Sequence, residues 1–580
     1  MQHYKNTKKI SDLEIIAGDP EKLTSSLADA MYKFNVKRNL KIFDFLKSKG
    51  LAVSSLLSIL LILPFHSVAN VYSLFKCGLH GLDFQGKKDA YYDIKNNEYI
   101  DWRKLLLLHA KRFIYLVNNN IGLSAKGTTA VIVDDSLLEK TGKKIEKTSV
   151  VNDHVSHRFI LGFKLLVLGF WDGASFIPLD FSIHRERGTK NLDLIKIFHK
   201  MAKYVKIQQK VIDKQRVIVN SKHSCLLKSE EILSLKPSQA NIKKHAKCIG
   251  AFKKAEETLK QDCEKQSINR QNQEEASKKL RQFYKKGRLF GLTTKERQEQ
   301  YKKAVSAKSS GFMRRKEADK DKITILLQML HRVVKHGIIP DYLLMDSWFF
   351  CFKILDDLSK LKNGAIKLVA MVKINKQIFT VCETGEQMSV KAIAKKYQRR
   401  AQKCNKMKSH YIKVKCFYKG IRVNLFYVRM GRCETWKLLL TNDLDIAFIK
   451  LMEVYQIRWS IEIFFKESKQ YLNLGKCQSV YFDAQIADTT ISMMQHIMLS
   501  YFKRINYQQS MGGLFKALNQ EIAEIGLIMV MLDLFWELVE VFCSCKGVDF
   551  MELQDDAYRN DKFMEKIIGM IPQKLINKAA

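Results

Sequence analysis

The chain has 580 residues, of which 46% are apolar and 27% charged, so a large core is available and wholesale disorder is excluded. It contains 6 prolines, where average usage of about 5% would give roughly 29, which favours long helices over a loop-rich secreted module. Lys and Arg number 99 against 59 acids, a formal charge of +40. Such a field attracts polyanions but names no chemistry. The 12 cysteines are scattered without a CxxC pair, which points to reduced thiols in a cytoplasmic protein and away from a zinc site or a disulfide framework.

Residues 1–115 read as a helical domain. Its opening segment, MQHYKNTKKISDLEI, lacks the apolar core of a signal sequence. Asn35–Lys49 is basic and amphipathic, Gly50 interrupts, and the apolar run Leu51–Phe65 follows. The run ends at Pro64 and is shorter than the roughly 20 apolar residues that a membrane span needs, so a buried helix is expected and no membrane association. Helix, glycine turn and second helix have the layout of a helix-turn-helix unit, which makes this region a candidate DNA-binding domain.

At Ala130 the pattern changes. Ala130–Val133 is a short β-branched run that is expected to stop at Asp134-Asp135. Phe159–Phe170, the turn Trp171-Asp172-Gly173 and Ala174–Ile183 then make a hairpin, because Asp-Gly between apolar runs is a strong hairpin signal. These strands form a first core segment, 116–190. Residues 191–320 are expected to be a mostly helical insertion; over 201–320 there are 31 basic and 13 acidic residues. Either the charge keeps an insertion soluble, or it forms an electrostatic track along a DNA backbone.

Order returns over 321–375, with a helix at Ile323–Gly337, a strand Ile338–Met345 ending at Asp346, and a further strand Ile366–Ile374. Residues 376–440 read as a β-rich insertion, with Tyr411–Val428 folding back at Tyr418-Lys419-Gly420-Ile421. Residues 441–480 carry a helix, and 481–580 form a helical C-terminal region, including Ile525–Phe542, that is a candidate dimerisation surface.

Divalent-metal phosphodiester chemistry needs two or three carboxylates converging on one point. Asp135 shares a strand face with Val131 and Val133 at period two, while Asp134 faces the other way; Asp346 extends the face of Leu344. Between Glu453 and Tyr471, Tyr455, Arg458, Glu462, Lys466 and Lys469 fall on one helical stripe beside an apolar face formed by Ile457, Ile461, Phe464 and Phe465. That spacing also suits a salt-bridged surface stripe.

Tyr455-x2-Arg458-x3-Glu462-x6-Lys469, with Trp459 after the arginine, resembles the YREK signature of bacterial DDE transposases of the insertion-sequence-four family. Val133-Asp134-Asp135-Ser136 and Leu344-Met345-Asp346-Ser347-Trp348-Phe349 resemble that family's two aspartate segments. The resemblance covers about 128–190 and 320–480. It implies an α/β, RNase H-like mixed sheet with helices, interrupted by a basic helical insertion and a β-rich insertion. It also implies a metal-binding catalytic triad of Asp135, Asp346 and Glu462, holding two Mg²⁺ ions that Mn²⁺ can replace, with Asp134 the alternative to its neighbour. Tyr455, Arg458, Trp459, Lys466 and Lys469 would lie along bound DNA. The activity implied is cut-and-paste transposition at terminal inverted repeats through a DNA hairpin, by a homodimer on double-stranded DNA in the bacterial cytoplasm and nucleoid. The rivals are an RNase H-like nuclease without strand transfer and a transposase-derived DNA-binding protein.

Overall fold

The computed structural model describes residues 26–66, 68, 70–77, 87–120, 122–153, 156, 158–186, 189–285, 294–431, 435–505, 512–516, 536 and 538–559. The opening segment lies outside these residues, as does most of the apolar stretch 525–542. The chain divides into two units: Met1–Lys147, Lys164–His184 and Tyr301–Ala580 form the larger, and Thr148–Phe163 with Arg185–Gln300 the smaller.

The strands in chain order are β1 (Ala130–Glu139), β2 (Ser149–Asp153), β3 (Arg158–Trp171), β4 (Phe176–His184), β5 (Tyr342–Met345), β6 (Lys367–Val372), β7 (Ile378–Val381), β8 (Gln387–Ser389), β9 (Gln402–Cys404), β10 (Ser409–Tyr418), β11 (Ile421–Met430) and β12 (Lys437–Thr441). The helices that matter below are α1 (Val36–Lys41), α2 (Val53–Ile62), α3 (Trp102–Asn118), α4 (Thr189–Leu235), α5 (Gln239–Lys285), α6 (Ser310–Glu317), α7 (Lys322–Lys335), α8 (Val390–Tyr397), α9 (Phe448–Gln456), α10 (Trp459–Tyr471) and α11 (Phe482–Ile505).

The larger unit is a mixed α/β body consistent with an RNase H-like core. Its strands follow the order β3-β1-β5-β6-β12-β11-β10-β7-β8, with β4 on β3 and β9 on β10. β1, β5 and β6 run parallel, and β6, β12, β11 and β10 alternate antiparallel. The turn into β11 takes Lys419 and Gly420 at φ 49° and 89°, the left-handed pair that a tight hairpin turn requires.

The start of the parallel core is locked from both strands. Thr129 N and Oγ1 donate to Asp341 Oδ2 at 2.8 and 2.9 Å, and Asp341 N donates to Thr129 Oγ1 at 3.1 Å. The register then runs from Ala130↔Tyr342 to Val133↔Met345.

β1 does not stop at the acidic pair. It continues to Glu139, because β1 also neighbours β3 on its other edge and so keeps a hydrogen-bonded partner after β5 ends. Asp134 and Asp135 therefore stand inside a strand, at the point where the parallel pairing gives out.

The N-terminal region also differs from expectation. Asn35–Lys49 is not one helix: α1 ends at Lys41 and a single 3₁₀ turn, Asp44–Leu46, follows. The cause is local. Asp44 turns to accept from Ser54 N and Ser54 Oγ at 2.8 and 3.0 Å, satisfying a donor at the start of α2. α2 has 10 residues and is mostly buried, and no described helix is long and apolar enough to cross a membrane. Gln495 of α11 donates to Leu61 O at 2.8 Å, tying α2 to the central helix.

Around β4 the core holds charge. Asp180 is buried and accepts from Arg103 Nε of α3 at 2.8 Å and from Arg332 Nη2 of α7 at 2.7 Å. Arg314 and Glu317 of α6 complete the cluster, with Arg103 Nη2 on Glu317 Oε2 at 2.8 Å. Burial pushes the Asp180 carboxyl up, but Arg103, Arg332 and Arg314 outweigh it and hold the group down to about 2. This cluster joins three helices to one strand.

The smaller unit pairs β2 with the start of β3 and carries α4 and α5, each of 47 residues and about 70 Å long. Pro237 stops α4, and Ser238 Oγ accepts from Asn241 N at 3.3 Å as α5 begins. The two helices pack along each other, and Ile212 of α4 and Ala255, Ala276 and Leu280 of α5 are buried. They also meet through polar pairs such as Gln266 Nε2 to Gln209 Oε1 at 2.8 Å.

Replacing Asp180 would strand three arginines. Asp180→Asn is expected to cost about 3 kcal/mol, read as a lower urea midpoint. The sign with pH follows from the depressed carboxyl. Its stabilisation is fully present above about pH 4 and is lost as pH falls toward about 2, so Asp180→Asn should flatten that part of the acid unfolding curve.

Candidate active site

Side chains alternate across β1, and the two faces meet different helices. On one face Asp134 Oδ2 accepts from Arg458 Nη1 at 3.2 Å, and Ser136 Oγ accepts from Lys469 Nζ at 2.7 Å. Arg458 precedes α10 and Lys469 lies on it. On the other face Asp135 Oδ2 accepts from Lys322 Nζ of α7 at 2.5 Å, and that ammonium lies 4.7 Å from the centre of the Trp348 ring.

The sheet register assigns Asp346 to one of these faces. Ile132 pairs with Leu344 and Val133 with Met345. Asp346 continues the face of Leu344, which is the face of Ile132 and Asp134. Continued one step beyond the paired residues, that register sets Asp134, and not Asp135, beside Asp346, on the face from which Arg458 reaches β1.

Glu462 stands in the first turn of α10 and accepts from Arg458 Nη2 at 2.6 Å. One guanidinium therefore bridges the carboxylates of β1 and α10. Asp346 Oδ1 accepts from Ser347 N at 2.6 Å. Burial pushes the Asp134 carboxyl up to about 7, the charges of Asp135 and Asp346 adding to it and Arg458 opposing.

Tyr455 is half-buried on α9, with the Arg458 guanidinium 5.8 Å from its ring centre. Burial raises its hydroxyl to about 12. Trp459 is 59% exposed and Lys466 is exposed. The expected single helix is broken between Tyr455 and Trp459. There Ile457 N bonds Val454 O at 3.2 Å and Arg458 N bonds Tyr455 O at 3.1 Å, a 3₁₀-type tightening that separates α9 from α10.

α10 is held against the sheet from behind. Phe464 lies 5.2 Å from Phe176 of β4, ring centre to ring centre, and a side chain at Gly169 would overlap the Phe176 ring. Beyond the carboxylates, Lys140 is buried and donates to Gly475 O and Cys477 O at 2.8 and 2.6 Å, fastening the end of β1 to the segment after α10.

Residues 310–496 match the family model of the transposase DDE domain. The matched stretch holds Asp346, Tyr455, Arg458, Glu462 and Lys469 and supports a DDE transposase; β1 lies outside it. A search of curated proteins found no match to the chain.

Proteins with this domain generally use divalent metal ions. The donors fit that chemistry, since Asp134, Asp346 and Glu462 offer only carboxylate oxygens to a hard cation. In the structure two of them are held by Arg458, and among the described residues no three acidic, histidine or cysteine side chains stand close enough to hold a metal ion.

Lys322 belongs to no motif or periodic pattern in the sequence. Its bond to Asp135 joins residues 187 apart, and no local pattern announces such a contact. The engagement of Ser136 by Lys469 has the same origin. If that bond joins β1 to α10, a double-mutant cycle of Ser136→Ala and Lys469→Met should give a coupling of about 1 kcal/mol in urea unfolding.

Proposed function

We propose that the protein is a cut-and-paste DNA transposase whose active carboxylates are Asp134, Asp346 and Glu462. The observation that carries this reading is the bridge from Arg458 to Asp134 and Glu462 on the sheet face shared with Asp346, within a chain similar to the transposase DDE domain. The choice of Asp134 over Asp135 rests on the register and on the pairing of Asp135 with Lys322.

Asp134, Asp346 and Glu462 would hold Mg²⁺ or Mn²⁺, which when bound neutralises a phosphodiester and activates the oxygen that attacks it. Arg458 and Lys469, aimed at the same face, would grip phosphates on either side of the scissile bond. Tyr455 and Lys466 would extend that grip, and the exposed Trp459 offers an aromatic face to a base or sugar. Water attacks one strand at the end of a terminal inverted repeat and frees a 3′-hydroxyl. That hydroxyl attacks the opposite strand to close a hairpin, a second water opens it, and the freed 3′ end joins target DNA. Paired ends require two copies of the chain, and the work is done on DNA in the bacterial cytoplasm.

The test is a labelled duplex bearing the element's terminal repeat, incubated with Mg²⁺ and the full-length protein. Asp134→Asn, Asp346→Asn and Glu462→Gln should each lose at least about 10²-fold in cleavage while still binding the duplex. Asp135→Asn should cleave within about tenfold of wild type. Loss of cleavage in Asp135→Asn with Asp134→Asn active would return the role to Asp135. Nicking with no hairpin or joined product would replace the transposase reading by a nuclease.

A further inference from the structure

The densest positive charge in the chain lies in neither the helical region nor α4 and α5. Between residues 373 and 430 there are 15 Lys and Arg against two acids, Glu383 and Glu386. By comparison, 189–285 holds 23 basic and 10 acidic residues, so its charge is partly self-neutralised. Within the β-rich segment the excess gathers at 391–408, where Lys391, Lys395, Lys396, Arg399, Arg400, Lys403, Lys406 and Lys408 occur with no acid among them.

All eight are exposed. Three already have carboxylates: Lys396 on Glu386 at 2.6 Å, Arg400 on Glu383 at 2.7 Å, and Lys406 on Glu453 at 3.1 Å. Both acids of 373–430 are thereby used, and among the described residues the other five cations meet no carboxylate. Like charges at this density repel one another, and a polyanion relieves that repulsion.

The frame beneath them is fixed. Val390, Ile393 and Tyr397 bury one side of α8, and Ser389 Oγ accepts from Ala392 N at 3.2 Å to cap it. Tyr427 Oη donates to Val390 O at 2.8 Å. β9 pairs with β10 from Gln402↔Tyr411 to Cys404↔Ser409. Lys406 ties the patch to α9, the helix that also carries Tyr455, through Glu453.

We infer that the surface 391–408 is a docking site for the phosphate backbone of duplex DNA, engaging it without reading sequence. The choice of DNA rests on the reading above. A rigid, exposed, acid-free array of Lys and Arg suits phosphate contacts, which position a duplex without specifying its bases. Few large apolar side chains interrupt the eight cations, so a lipid surface is less well matched.

The test compares two full-length variants that lose the same charge. One is Lys391→Gln, Lys395→Gln, Arg399→Gln and Lys403→Gln in the patch. The other is Lys200→Gln, Lys203→Gln, Lys210→Gln and Lys214→Gln on α4. Binding of a fluorescent 40-base-pair duplex of arbitrary sequence is titrated against salt, with circular dichroism confirming that both variants fold.

The patch variant should bind at least about tenfold more weakly and lose about 3 to 4 from the slope of log affinity against log salt, roughly 0.9 for each phosphate contact removed. The α4 variant should keep most of the wild-type slope. An unchanged slope in the patch variant, or equal losses in both, would overturn the assignment; so would loss of binding to phosphatidylserine vesicles with duplex binding intact. A parallel cleavage assay separates the two readings. A patch-dependent slope in a protein that never cleaves would sink the catalytic reading and spare the docking site, whereas cleavage with an unchanged slope would do the reverse.

Discussion

The parallel pairing of β1 with β5 is the constraint on which the rest of the larger unit depends. It joins segments 212 residues apart, and the Thr129–Asp341 lock sets its register at the first step. Asp134 and Asp346 keep that same separation, and each directly follows the last paired residues, Val133 and Met345. A slip of one residue would turn either aspartate to the opposite face of the sheet. β6 extends the parallel core, and β12, β11 and β10 carry the sheet on into the basic β-rich segment, so the docking surface and the carboxylates share one frame.

Gathering acids in one place is costly unless something answers their charge. Here the answer is built from the chain's own cations: Arg458 spans Asp134 and Glu462, and Lys322 holds Asp135. Burial, with the charges of Asp135 and Asp346, pushes the Asp134 carboxyl up against the pull of the Asp135 backbone amide and Arg458. Away from it, Asp180 illustrates the opposite balance, with enough arginines around one buried carboxylate to hold it ionised in acid.

Charge is also spent differently in different parts of the chain. α4 and α5 intersperse acids with lysines and meet through amide side chains, as two long solvated helices require. The segment 391–408 has no internal acids and rests on buried Val390, Ile393 and Tyr397. Net charge alone would rank the helical stretch first, because it is longer. Density on a frame of buried side chains, with five of the eight cations meeting no carboxylate among the described residues, ranks the β-rich surface above it.

Much of this protein could be read without a structure because the relevant signals are local. Alternation and Asp-Gly identify the β3–β4 hairpin, Lys419-Gly420 identifies the turn into β11, and the spacing of Glu462, Lys466 and Lys469 places three charged side chains along α10. Each depends on neighbours within a turn or two of backbone. Other features are decided by distance in space. Period two along β1 separates Asp134 from Asp135 but cannot say which face Asp346 shares, since alternation in one strand carries no information about its register with another. The continuation of β1 past the acids needs β3, the break between α9 and α10 shows only in the hydrogen bonding, and Lys322 and Ser136 find partners 187 and 333 residues away. Residue types and their periodicity determine which chemistry the chain can carry. Which helix each of two adjacent carboxylates meets was decided only when the strands paired, because a strand's two faces become inequivalent only against a neighbour.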